Sequence, residues 1–130
     1  GSEMCIRDRL LAASYNEQHL LKRLEEQLFL VIEEDDQIIG FANFIYGTEL
    51  FLSAHYVRPS WQHHGYGTDL LKEGLAYFQD EYNEVFLEVD NKNDEAVSFY
   101  EQKGFERVRS YMHVMYGEEM DLALMRKTLK

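Results

Sequence analysis

The chain has 130 residues, 45% of them apolar and 14% aromatic, enough for the core of one domain and too apolar for a disordered segment or a disulfide-stapled miniprotein. Asp and Glu number 24 against 13 Lys and Arg, a formal net charge of −11, which argues against non-specific binding to nucleic acid or anionic lipid and favours cationic substrates. Cys5 stands alone, no run approaches the ~18 apolar residues of a membrane helix, and no secretory signal pattern is present, so the sequence reads as a soluble, cytoplasmic protein.

Gly1-Ser2 reads as a tag remnant and Glu3 to Arg9 as translated adaptor sequence, so residues 1–13 are expected to be non-native or disordered and 14–130 to form a single domain. Ser14 or Asn16 can cap a helix over 16–28, with Leu20, Leu21, Leu24 and Leu28 on one face. Phe29 to Ile32 and Ile38 to Tyr46 read as two strands around the acidic turn Glu33 to Asp36, a solvated hairpin tip. Leu50 to Val57 is a third strand, stopped by Pro59. From Gly67 the period becomes helical, with Leu70, Leu71, Leu75, Phe78 and Tyr82 on one side of a helix over 67–82. Val85 to Val89 is a short strand, Asn93 or Asp94 opens another helix, and Gly104 ends it. The tail from Glu106 to Lys130 alternates in two runs broken at Tyr116 to Glu119, a closing hairpin. The class expected is α/β: a mixed, mostly antiparallel central sheet with a splayed parallel pair, flanked by helices.

The stretch Val57-Arg58-Pro59-Ser60-Trp61-Gln62-His63-His64-Gly65-Tyr66-Gly67-Thr68 takes a strand through a glycine-bearing loop straight into a helix. Unpaired amides and the positive helix end converge there, which suits a phosphate, and Thr68 adds a hydroxyl. An ordinary tight strand-to-helix turn has the same pattern. His63 and His64 are neighbours in a loop, not ligands at i, i+4, and no third ligand accompanies them, so they are expected to face solvent and no metal is expected. Trp61 is expected to pack.

The block Leu87-Glu88-Val89-Asp90-Asn91-Lys92-Asn93-Asp94-Glu95-Ala96-Val97-Ser98-Phe99-Tyr100-Glu101-Gln102-Lys103-Gly104-Phe105 resembles the hallmark segment of the GCN5-related N-acetyltransferases, and the glycine loop resembles the Q/R-x-x-G-x-G/A motif of the same family. The resemblance covers residues 14–130 and is most specific over 56–105. Tyr116 to Leu122 resembles, more weakly, the end of bacterial polyamine and diamine acetyltransferases. The resemblance implies acetyl-CoA as co-substrate and direct acetyl transfer to the primary amine of a small molecule, such as a polyamine, or of a peptide. It implies that amides of Gln62, His63, His64, Gly65, Tyr66, Gly67 and Thr68 hold the diphosphate. Tyr56 and Val57 would pair with the pantetheine arm, Asn93 would bond it, and Tyr100 would stand near the thioester sulfur. The alternative is a CoA-binding or acyl-CoA-binding module of the same fold that catalyses little or nothing.

Ser53 aligns with a glutamate that many family members use as base. His55, two residues on and expected on the same strand face, is the leading replacement, followed by Glu88 or a water held by Ser53. A histidine that only hydrogen-bonds is the competing reading. The family fold opens with a strand and a helix ahead of the helix read at 16–28, and both are expected to be missing here. Their loss would leave an unpaired edge beside Phe29 to Glu33, open the acceptor side and favour a homodimer or edge self-association, with cofactor binding surviving better than turnover.

Overall fold

The computed structural model describes residues 4–12 and 26–130. It divides into two compact units, Gly1–Tyr82 and Asn83–Lys130.

In the first unit, β1 (Met4–Ala12), β2 (Glu26–Glu34), β3 (Gln37–Tyr46) and β4 (Leu50–Val57) follow one another as antiparallel neighbours, and α1 (Tyr66–Phe78) comes after them. Two expectations are corrected. Residues 4–12, assigned no structural role from sequence, form a strand in register with β2 from Met4 opposite Glu34 to Ala12 opposite Glu26. The edge expected to stand vacant beside Phe29 to Glu33 is therefore covered, and the self-association argued from it loses its premise. Of the helix expected over 16–28, residues 16–25 lie outside the described residues, and Glu26 to Leu28 begin β2 instead. The acidic turn is a two-residue hairpin with Asp35 and Asp36 both at positive φ, 53° and 62°, the twist that matches strand to strand.

Cross-strand partners share a face, and register defines the core face: Leu28, Leu30 and Ile32 of β2, Ala42 and Phe44 of β3, and Leu50 and Leu52 of β4, all buried. The helix α1 packs against β2, β3 and β4, burying Leu70, Leu71, Gly74 and Phe78. It ends at Phe78, a turn earlier than expected from sequence, and the Tyr82 hydroxyl donates to the Gly47 carbonyl at 2.7 Å. Burial of each large apolar side chain contributes about 1.5–3 kcal/mol, so this interface dominates the unit's stability. Gly74 is where helix and sheet meet most closely: a Cβ there would lie 2.1 Å from the Phe44 ring.

One register shift matters for the site. Asn43 opposes Ala54 while Phe44 opposes Leu52, so Ser53 is an extra residue in a β-bulge. The bulge places His55, opposite Ala42, on the core face with Leu52, three residues earlier. Ser53 follows Leu52 by one residue and so points the other way. The shared face expected of Ser53 and His55 is not formed.

In the second unit, β7 (Glu118–Thr128) lies between β5 (Glu84–Asp90) and β6 (Glu106–Met115), antiparallel to both, with α2 (Asp94–Gln102) packed on β5. Val85, Leu87 and Val89 alternate into the core with Met125 and Ala123 across from Leu87 and Val89. The expected closing hairpin turns at Tyr116 and Gly117. Strand, helix and hairpin thus follow the predicted order, and the fold is α/β.

Gly74→Ala is predicted to lower the melting temperature by about 5 °C or more, because overpacking costs roughly 1–3 kcal/mol and outweighs the helix-propensity gain. Thermal denaturation followed by circular dichroism checks it; an unchanged or higher midpoint would contradict the packing described.

Candidate active site

Beyond β4 the chain makes a single 3₁₀ turn at Pro59–Trp61 and then enters α1 through Gln62 to Gly65. Gln62 stitches the loop to the strand, its Nε2 donating to the Val57 carbonyl at 2.9 Å. His63 (φ 66°) and Gly65 (φ 86°) both take left-handed backbone, which turns successive amides toward one side. Gly65 is the N-cap, a position whose positive φ strains any residue with a Cβ. The Asp69 amide donates to the Gly65 carbonyl at 2.9 Å. The amides of Tyr66, Gly67 and Thr68 precede that bond and have no carbonyl one turn behind them, so they project from the positive end of the helix. This geometry suits an anion, and more specifically a phosphate.

His63 and His64 are exposed, with His64 near the Tyr66 ring at 6.1 Å between centroids. Among the described residues no three His, Cys, Asp or Glu side chains gather in a way that could hold a metal. The Trp61 ring packs 6.2 Å from that of Tyr66. Sequence reasoning missed what holds Tyr66: its hydroxyl donates to Glu34 Oε2 at 2.9 Å, and this bond raises the tyrosine above its ordinary pKa, with burial adding to it. Glu34 is itself buried. The signal was present, since Leu28, Leu30, Ile32 and Glu34 continue one strand alternation into the core.

His55 has a defined role in this geometry. Its Nε2 lies 2.8 Å from the Gly67 carbonyl, which can only accept, so Nε2 carries the proton and Nδ1 carries the lone pair of the neutral ring. Burial pushes the imidazole below its ordinary 6.5, partly opposed by the Gly67 bond. Ser53 is exposed on the bulge, and Tyr56, also exposed, stands 5.9 Å from the Phe41 ring.

In the second unit, Asp90 closes a turn by accepting from the Lys92 amide, and Asn93 caps α2, its Oδ1 accepting from the Ala96 amide at 3.1 Å. Tyr100 follows seven residues later, two helical turns on, along the same stripe. Edge-on contacts with Phe99 and Phe105 surround it, and burial pushes its hydroxyl up to about 12. Glu88 is exposed on the face of β5 opposite Val85, Leu87 and Val89. The first unit thus joins His55 to the loop and separates Ser53 from it, while the second aligns Asn93 with Tyr100.

A sheet strand that delivers a left-handed glycine turn and a helix N-terminus is an α/β arrangement suited to a phosphate. Residues 5–105 match the model of the acetyltransferase (GNAT) family, and the chain belongs to that family. It is 36% identical over 75 residues to a peptidyl-lysine N-acetyltransferase of Escherichia coli, a match covering 58% of this chain and 47% of the relative, so the chain spans about half that protein's length. It is 30% identical over 115 residues to an N-alpha-acetyltransferase of Sulfurisphaera tokodaii, covering 77% of this chain and 68% of the relative. Among solved structures it resembles an N-acetyltransferase of Thermoplasma acidophilum in complex with coenzyme A, with a TM-score of 0.64 and 26% identity over 78% of this chain and 60% of that one.

The depressed His55 pKa has a consequence for stability. Between its folded value and 6.5 the unfolded chain binds a proton that the folded chain refuses, so wild-type stability falls as pH drops below about 6.5. His55→Gln, which keeps a side-chain N–H donor, is predicted to lose less stability than wild type between pH 7.5 and 5, measured by urea denaturation; a constant gap would contradict the assignment.

Proposed function

We propose that the protein is an N-acetyltransferase that moves the acetyl group of acetyl-CoA directly to a primary amine. The observation that carries this reading is the tied glycine turn at the N-terminus of α1 within a matched acetyltransferase sequence. The diphosphate of acetyl-CoA is held by amides from Gln62 to Thr68, and the pantetheine arm runs against Tyr56 and Val57. Asn93 offers its Nδ2 hydrogens to that arm, its oxygen being committed to Ala96.

The chemistry follows from proton energetics. An alkylamine with pKa near 10.4 is neutral in about one molecule in ~2,500 at pH 7, so reaching the nucleophilic form costs about 4–5 kcal/mol. Tyr100 at about 12, against a thiolate near ~8.5, would give up its proton uphill by on the order of 5 kcal/mol, so it stabilises the departing sulfur as a hydrogen-bond donor and keeps its proton. His55, neutral at pH 7, acts as the base, with Glu88 or a water on Ser53 as the other candidates. Its low basicity fits removal of the proton once the C–N bond has begun to form and the nitrogen has become acidic.

The relatives' own acceptors, a peptidyl lysine and an N-terminal amine by their names, favour an amine on a peptide over a polyamine. The cytoplasm of a bacterium supplies acetyl-CoA and keeps Cys5 reduced, and it is the compartment this reading assigns.

Release of CoA thiol, measured with peptide amines, peptidyl lysine and polyamines, is the test. Turnover of an amine is expected, and Tyr100→Phe is predicted to lower kcat about tenfold or more while leaving thermal stabilisation by CoA intact. Stabilisation by CoA without turnover of any amine would favour a binding module, the reading that the absent glutamate at Ser53 supports. No stabilisation at all would remove both.

A further inference from the structure

Glu34 stands where the alternation of β2 calls for an apolar side chain. It continues the buried series Leu28, Leu30 and Ile32 and is only 7% exposed, yet it carries a carboxylate. Removing that group from water is unfavourable, and a negative charge tied to the first turn of α1 repels an anion held there. The hydrogen bond donated by the Tyr66 hydroxyl at 2.9 Å, charge-assisted and so stronger than a neutral one, is the contact that offsets both costs.

The bond acts on a residue that itself presents an amide to the ligand. Tyr66 is the first residue of α1, and its N–H is among those that project from the helix N-terminus. The N-cap is Gly65, which has no side chain to bond the first turn. Ring and amide belong to one residue, so fixing the hydroxyl limits how far that amide can swing. The other end of the loop is held by the same hairpin. Gln37, the cross-strand partner of Glu34, accepts from Arg58 Nη1 at 3.3 Å, and the Ile39 carbonyl accepts from the Arg58 amide at 2.8 Å. Residues 59–65, with left-handed backbone at His63 and Gly65, are therefore suspended between two points anchored on one end of the β2–β3 hairpin.

We propose that Glu34 is a positioning residue for acetyl-CoA: through Tyr66 it holds the start of α1 in the geometry that receives the diphosphate, and the end of the β2–β3 hairpin is the brace of the cofactor turn. The proposal rests on the reading above in which that turn holds the diphosphate. Glu34 acts through the Tyr66 hydroxyl and not on the cofactor itself. With the bond in place the amides are ordered before the ligand arrives; without it their ordering is charged to binding, and affinity falls. Electrostatics alone gives the opposite sign, because removing a negative charge from the neighbourhood of an anion tightens its binding. A neutral residue that weakens binding is therefore the signature of positioning.

The test is calorimetric titration of CoA into Glu34→Leu, Glu34→Gln, Tyr66→Phe and the double variant Glu34→Leu/Tyr66→Phe, with folding checked by thermal denaturation. Glu34→Leu extends the apolar alternation of β2 and is expected to fold. The dissociation constant for CoA is expected to rise about fivefold or more in Glu34→Leu and in Tyr66→Phe. The double variant is expected to match the weaker single variant within about twofold, because one bond is lost only once. Glu34→Gln, which keeps a side-chain oxygen as acceptor and drops the charge, is expected to bind CoA at least as tightly as wild type. A smaller rise or tighter binding in Glu34→Leu would overturn the proposal, as would multiplying losses in the double variant or a loss in Glu34→Gln equal to that in Glu34→Leu. Should Glu34→Leu not fold, Tyr66→Phe decides by the same fivefold limit; failure of both to fold would give the pair to the fold alone and overturn the proposal. Wild type that binds CoA no more tightly than pantetheine would instead overturn the diphosphate reading, and the role of Glu34 would fall with it.

Discussion

A hydrogen bond of 2.8 Å from the His55 imidazole to the Gly67 carbonyl ties the central part of β4 to the first turn of α1. A helix N-terminus binds an anion well only if its amides are already aimed, because freezing them at the moment of binding costs conformational entropy. Here the aiming is done before any ligand arrives. The imidazole holds one side of the turn, the Tyr66 hydroxyl on buried Glu34 holds another, and Gln62 fastens the loop to the Val57 carbonyl. Each tether ends on a strand whose register is set by the apolar face beneath α1, so packing of Phe44 against Gly74 and Phe78 is upstream of ligand geometry. The same tethers make His55 a structural clamp: a buried, neutral imidazole whose Nε2 is committed to the Gly67 carbonyl.

A chain of net charge −11 that binds a diphosphate faces opposing electrostatics. Surface carboxylates beyond the Debye length of about 8 Å are largely screened at physiological salt, whereas amides at hydrogen-bond distance are not. Local dipoles therefore decide binding, and the global charge acts on encounter, slowing an anionic cofactor and drawing cationic acceptors. The loop relies on backbone: Arg58, the cation nearest in sequence, directs its Nη1 to Gln37 Oε1 at 3.3 Å.

Much of this was legible in the residues. The hairpins, the helix from the glycine turn, the N-cap at Asn93 and the terminating Gly104 all follow from local rules of periodicity, capping and turn chemistry. What escaped was non-local. The bulge at Ser53 exists only as a mismatch between two strands, and it inverted the expected relation of Ser53 to His55, since parity along one strand says nothing about its partner's count. Glu34 was read with the solvated tip although its alternation placed it in the core. Glu3 to Arg9 resembles adaptor sequence in composition, yet the described backbone pairs Met4 to Ala12 with β2 along nine positions. The helix expected at 16–28 ran into residues whose β-branched and aromatic continuation, Phe29 to Ile32, draws Glu26 to Leu28 into the strand.

The central physical claim is that main-chain amides at the start of α1 grip the diphosphate of coenzyme A. Isothermal titration of the chain with CoA and, separately, with pantetheine, which has the same thiol arm and no diphosphate, addresses it directly. The account predicts saturable CoA binding and at least 100-fold weaker binding of pantetheine; equal affinities, or no heat with CoA at millimolar concentration, would contradict it.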